Sequence, residues 1–131
     1  MPLKMDIPNL HIFLEQVFPQ VHDMFRVERL ADMEIDVRLL VNESHLRPGG
    51  TVSGPSMFGL ADVAVYLAVM AMIGPKALAV TTNASIDFMR KPNAGEDLIG
   101  KVRLLKLGRA LAVGDCLIYS EKGTSPVARA N

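Results

Sequence analysis

Polar and apolar positions recur along this chain with two different periods. Over Asn9–His22 the apolar residues Leu10, Phe13, Leu14, Val17 and Phe18 are spaced three and four apart, which puts them on one stripe of an amphipathic helix. Pro19 ends or kinks that helix, because it cannot donate to the backbone ladder. From Glu34 to Val41 the period falls to two. Ile35, Val37, Leu39 and Val41 point one way and Glu34, Asp36 and Arg38 the other, as in a strand with one buried face. Residues 42–54 hold Pro48, Gly49, Gly50 and Gly54 and form a loop. A long helix then starts near Ser53 or Gly54, with Pro55 in its first turn where a missing N–H costs nothing, and Gly74-Pro75 stops it after Ile73.

Strand patterns fill the remainder. Between Val80 and Arg90 the apolar residues Val80, Ala84, Ile86 and Phe88 alternate with Thr81, Asn83, Ser85 and Asp87. Asn93-Ala94-Gly95 turns into a strand over Asp97–Leu107, Gly108-Arg109 makes a hairpin into Leu111–Ser120, and Lys122-Gly123 leads to a last strand over Pro126–Asn131. The predicted order is helix, strand, long helix and four strands in a meander. The fold class is α+β, an antiparallel sheet wrapped around a long central helix. We expect one domain over 1–131, with an N-terminal helical segment at 1–30 and the sheet plus central helix (about 54–73) over 34–131.

Composition narrows the classes of function. A chain of 131 residues, half of them hydrophobic, can bury a substantial core. Fourteen basic residues balance fourteen acidic ones, so no overall field draws the chain to nucleic acid or an anionic membrane. The stretch Ser56–Ile73 is apolar apart from Ser56, Gly59 and Asp62, yet it is short for a bilayer crossing and carries a carboxylate. A helix buried in a soluble protein is the expected reading, with no membrane partner. The lone Cys116 excludes an intrachain disulfide and fits a reducing, cytoplasmic setting. His11, His22 and His45 are scattered without metal-ligand spacing, so no metal site is expected.

The chemistry concentrates in the stretch from Gly50 to Asp62. A glycine-rich loop running into a helix N-terminus offers free N–H groups and positive potential to an oxyanion or a polarised carbonyl. Asp62 follows two turns later, on a helix expected to be buried, where an apolar setting favours a carboxylate acting as a base. Ser53 and Ser56 are in place to cap the helix. Gly54-Pro-Ser56-Met-Phe58 lacks the final glycine of a hydrolase nucleophile elbow, which leaves a serine triad without support.

Gly50-Thr51-Val52-Ser53-Gly54-Pro55 followed by Leu60-Ala61-Asp62 resembles the hotdog-fold acyl-CoA thioesterases, in particular the phenylacetic-acid-pathway type. That family shows an asparagine, then Gly-x-(Val/Leu)-His-Gly-Gly, then Leu-x-Asp. The likeness continues through Ile86-Asp-Phe-Met-Arg-Lys-Pro92 and Gly95-Glu-Asp-Leu98 to Leu107-Gly108-Arg109. It implies the hotdog fold and hydrolysis of an acyl-CoA thioester to a carboxylic acid and coenzyme A, with no cofactor beyond the coenzyme A of the substrate. Asp62 would be the catalytic nucleophile or base, and the Gly54 N–H would polarise the thioester carbonyl. Thr81 matches a position where the family places a hydroxyl near the acid, and Arg90 and Lys91 match basic residues that meet the phosphates of coenzyme A. The resemblance also implies a homodimer joined edge to edge, with each site built from both subunits, and leaves a dimer of dimers open.

Three positions depart from the family pattern. Ser53 stands at its histidine, Pro55 at its second glycine and Arg47 at its asparagine. Arg47 either polarises a carbonyl as a cation or pairs with Asp62. Met57 and Ser56 lie beside the acid-bearing turn, where Met57 either joins the core or lines an adaptable acyl pocket. The alternative function is a non-catalytic hotdog protein binding acyl-CoA or another small ligand. A hotdog hydratase is the weakest reading, because no histidine follows Asp62.

Overall fold

Asp6 opens the first helix, α1 (Ile7–Val17), by accepting the Asn9 N–H at 2.9 Å, and Pro8 occupies an early position that needs no donor. The computed structural model describes residues 3–75 and 79–131. Leu10, Phe13 and Leu14 form the buried stripe of α1, and Phe18 caps it directly before Pro19, short of the expected His22. The chain then enters a strand, β1 (Phe25–Ala31), which corrects the expectation of a helical segment through residue 30. Phe25 and Val27 face inward in β1, and a bulge between Val27 and Arg29 breaks the alternation before Leu30. A tight turn at Asp32-Met33, with Met33 at φ 63°, leads into β2 (Glu34–Leu39). Ile35, Val37 and Leu39 of β2 are buried as their period-two pattern predicts.

One turn of 3-10 helix (Glu43–His45) precedes the loop to the second helix, α2 (Gly54–Ile73). Four strands follow: β3 (Ile86–Phe88), β4 (Leu98–Leu107), β5 (Ala112–Ser120) and β6 (Ala128–Ala130). They join β1 and β2 in a six-stranded antiparallel sheet of order β1-β2-β4-β5-β6-β3. The α+β hotdog architecture is therefore present. The four-strand meander is not, because β3 pairs with β6 at the far edge instead of with β4. The strand expected over Val80–Arg90 shortens to Ile86–Phe88, and residues 80–85 run exposed outside any strand, with Val80 79% exposed.

The sheet curls around α2 because its inner face is built from small residues where the helix approaches. A Cβ added to Gly114 would lie 3.0 Å from Val65 Cγ1, and one on Gly100 would lie 3.3 Å from Leu60 Cγ and Cys116 Sγ. Met57, Leu60, Ala64, Leu67, Met70 and Met72 of α2 are buried, as are Leu98, Val102, Cys116 and Ile118 of the sheet. α2 is long and apolar enough to cross a membrane, but here the sheet covers much of it. Burial pushes the Cys116 thiol up to about 12, with the nearby Asp115 and Asp36 adding to the effect, so it stays a neutral core side chain.

Candidate functional site

The N-terminus of α2 is set by a short, stiff loop. Leu46 and Val52 form an antiparallel bridge, the Arg47 N–H donates to the Thr51 carbonyl at 2.8 Å, and the Gly50 N–H returns to the Arg47 carbonyl at 3.0 Å. Gly49 and Gly50, at φ 103° and 84°, supply the left-handed backbone this turn requires. Thr51 and Val52 are buried, whereas Arg47 is exposed at the rim. Among the described residues no ion pair joins Arg47 to Asp62.

Ser53 is the N-cap of α2: its hydroxyl accepts the Ser56 N–H at 3.3 Å and lies 2.9 Å from the Ser56 hydroxyl. The Ser53 N–H donates to the His45 carbonyl at 2.8 Å, and the Ser56 hydroxyl donates to the same oxygen at 3.3 Å. The Met57 N–H starts the helical ladder on the Ser53 carbonyl at 3.1 Å, and Pro55 has no N–H to satisfy. Gly54 alone remains: within the described residues no hydrogen bond takes its N–H. The tip of the Phe88 ring lies against Gly54, and an added Cβ there would sit 3.1 Å from Phe88 Cζ.

His45 is only 7% exposed. Its Nδ1 accepts the Asn42 N–H at 2.9 Å, so the neutral ring carries its hydrogen on Nε2, which is buried and has no partner among the described residues. Burial lowers its pKa below the usual histidine range. The sequence marks His45 only as an isolated histidine. Its place under the helix N-terminus comes from the capping box that it forms with Asn42.

Asp62 lies two turns into α2 on the side the sheet leaves open, exposed instead of buried. The Thr81 hydroxyl donates to its Oδ1 at 2.5 Å, bringing together two of the predicted residues. Met57 is buried in the core. Arg90 and Lys91 lie exposed just beyond β3, where the Arg90 Nε–H donates to the Pro126 carbonyl at 2.9 Å. Phe58, Ile86 and Phe88, which the sequence motifs do not mark as site residues, form an apolar wall next to Gly54. The alternation around Ile86 and Phe88 is the available signal.

Residues 49–127, more than half of the chain, match the family model of the thioesterase superfamily. The chain belongs to that superfamily. The matched span of this thioesterase-superfamily chain includes Gly54, Asp62 and Thr81 and begins two residues after Arg47. A Silicibacter sp. TM1040 protein assigned as a thioesterase is similar at 60% identity, over 99% of this chain and 90% of that one, with a TM-score of 0.92. The phenylacetic acid degradation protein PaaI of Thermus thermophilus, solved as a point mutant, is 30% identical over 86% of this chain and 93% of its own, with a TM-score of 0.72. A Pseudomonas aeruginosa protein assigned as an esterase is 30% identical over 69% of this chain and 67% of its own length. These relatives agree with the resemblance read from the loop and helix motifs.

Proposed function

We propose that this superfamily member hydrolyses acyl-CoA thioesters as a homodimer, with Gly54 as oxyanion donor and Asp62 as nucleophile or base. The observation that carries this reading is the unoccupied Gly54 N–H, the one donor left free among the described residues where α2 begins. It points from a helix end whose dipole favours the negative oxygen that forms when a thioester carbonyl is attacked.

The separation of the two groups supports a two-chain site. Eight residues of α-helix set Gly54 and Asp62 about 12 Å apart along the axis. A donor and a nucleophile must each come within about 3 Å of one thioester group. One chain therefore brings only half of the site to each substrate, and a second copy must supply the other half. The short edge strand β3 and the exposed residues 79–85, which carry Thr81, lie where such a copy would dock.

In this reading the carbonyl oxygen rests on the Gly54 N–H of one chain. Asp62 of the other either takes the proton of an attacking water or attacks the carbonyl carbon to give an anhydride that water opens. The C–S bond breaks in either case, and the coenzyme A thiolate leaves and is protonated. Thr81 holds the carboxylate in place. Arg47 brings a cation to the loop rim in place of the family's neutral asparagine, while Arg90 and Lys91 meet the phosphates. The Ser53 and Ser56 hydroxyls, bonded to each other, serve the helix cap.

Thiol release from aromatic, short and long acyl-CoAs, measured on wild type and Asp62→Asn, tests the proposal. Turnover that the substitution abolishes supports it. A folded dimer that binds acyl-CoA and releases no thiol supports instead a non-catalytic binding protein, a reading that the exchange of asparagine for Arg47 favours.

A further inference from the structure

The Gly54 N–H is singled out because the donors around it are taken. The His45 carbonyl accepts both the Ser53 N–H at 2.8 Å and the Ser56 hydroxyl at 3.3 Å, one on each side of Gly54 in the chain. That single oxygen therefore fixes where α2 starts and how its first free N–H is presented.

What holds the carbonyl is the imidazole of the same residue. The His45 N–H donates to the Asn42 carbonyl at 3.0 Å while Nδ1 accepts the Asn42 N–H at 2.9 Å, so backbone and ring together close the 3-10 turn. Across the loop, the bridge between Leu46 and Val52 and the bond from the Arg47 N–H to the Thr51 carbonyl carry the position of His45 to Ser53. The path from the ring to Gly54 is continuous, and the ring is the only side chain on which it depends.

Packing gives no reason for an imidazole at this place. His45 is 7% exposed, and its Nε2–H is buried without a partner among the described residues, which costs stability. Phenylalanine would fill a similar space with no orphan donor. The orphan follows from the bond to Asn42: Nδ1 must accept, so Nε2 must carry the hydrogen. We infer that His45 is a positioning residue for the oxyanion donor, its ring holding the loop so that the Gly54 N–H meets the charge developing on the thioester oxygen. This inference rests on the reading of Gly54 as the carbonyl site.

A donor aimed at developing charge acts on kcat more than on KM. The test is steady-state thiol release from an acyl-CoA that the wild type turns over, measured on His45→Phe, His45→Asn and Asn42→Ala. His45→Phe keeps a ring and loses the acceptor, and should lower kcat at least about tenfold with KM changed by less than about twofold. His45→Asn sets an acceptor oxygen as many bonds from Cβ as Nδ1, and should keep about a third or more of the wild-type kcat. Asn42→Ala, at an exposed position, removes the oxygen that accepts the Ser44 N–H at 2.9 Å. It loosens the same turn without threatening the fold and should lower kcat about threefold. Proton–nitrogen correlation spectra of the Asp62→Asn protein follow the Gly54 amide as octanoyl-CoA is added. The peak should move, stay still when His45→Phe is added, and move again with His45→Asn in its place.

A His45→Phe protein that melts lower yet keeps its kcat overturns the inference and leaves His45 a core residue. Equal kcat losses in His45→Phe and His45→Asn overturn it because the acceptor then does not matter, and a raised KM at constant kcat does so as well. If His45→Phe does not fold, an unchanged kcat in Asn42→Ala overturns it. Absence of thiol release from the wild type refutes the hydrolysis reading, and the Gly54 peak then decides alone. A shift that survives His45→Phe overturns the positioning role, and a peak that never moves removes the Gly54 site and the inference with it.

Discussion

The hydroxyl of Thr81 donates to a carboxylate oxygen of Asp62, so a residue outside every strand orients the carboxylate proposed to act on the thioester. The two are joined by side chains alone. Among the described residues, no hydrogen bond takes the second carboxylate oxygen.

Thr81→Val should lower kcat about tenfold with little change in KM, the loss expected when one hydrogen bond to a charged acceptor disappears. Thr81→Ser, which keeps the donor, should retain most of the activity. Steady-state thiol release under both substitutions checks this, and equal losses in the two variants would show that the methyl group matters as much as the hydroxyl and overturn the orienting role.

Arg38 is the hub of the outer sheet face. Its guanidinium meets Glu28 at 2.5 Å, Asp97 at 3.0 Å and Glu121 at 3.0 Å, while its side chain is only 15% exposed. Asp97 also accepts the Val41 N–H at 2.9 Å, tying the end of β2 to the start of β4. Arg38→Met leaves Asp97 and Glu121 without this cation and Glu28 with Arg26 at 3.4 Å, and should cost about 2 kcal/mol at neutral pH, between the values for exposed and buried pairs. The hydrogen bond from Arg38 is the main reason that Glu28 titrates below the usual range. A carboxylate with its folded pKa lowered stabilises the fold above its unfolded value, and that contribution is lost as the pH falls through the folded value. Urea midpoints of wild type and variant should therefore converge as the pH drops below about 4.5.

His11 predicts a second, milder pH effect. Its Nε2 accepts the Val27 N–H at 3.2 Å, closing the outer edge of β1 where the bulge begins, and this bond requires the neutral ring. Burial and the neighbouring Arg26 lower its pKa from 6.5. The unfolded chain thus binds the proton first, and stability falls as the pH drops through 6.5 toward the folded value, with the full contribution present above that window. His45, lowered by burial, adds in the same sense. The melting temperature should drop a few degrees between about pH 7.5 and about pH 5.5. His11→Leu should flatten part of that slope, and an unaltered slope would assign the effect elsewhere.

The elements legible in the sequence are those whose pattern and punctuation agree. The central helix is bounded by Ser53, Pro55 and Gly74, β2 and β5 alternate between faces throughout, and β4 does so over the seven residues before its bulge at Leu104–Lys106. The strand β1 escapes the pattern although Phe25 and Val27 alternate with Arg26 and Glu28, because the bulge shifts the phase before Leu30 and leaves the alternation too short. The alternation at Val80–Arg90 misleads for the opposite reason. Period two shows that a segment can lie in a sheet, but the partner β6 offers only three residues to pair with. At the site, the Ser53 cap, the glycine-rich turn and the approach of Thr81 to Asp62 are all legible. The exposure of Asp62 is not, since α2 is apolar around its whole circumference and its sequence does not mark the side left open. The contact of Phe88 with Gly54 is equally hidden, because it joins residues far apart in sequence.

The position of β6 between β5 and β3 imposes an order on assembly. Although β3 comes first in sequence, its hydrogen bonds are to residues 128–130, so it cannot join the sheet until they have been synthesised and have left the ribosome. The β1–β2 hairpin, α2 and the β4–β5 hairpin can come together beforehand. Emergence of Ala128–Ala130 then places the edge that carries Phe88, and with it the rim on which a second copy would close. For the proposed dimer, association thereby waits on β6, and its timing is set by strand order instead of by the strength of the interface.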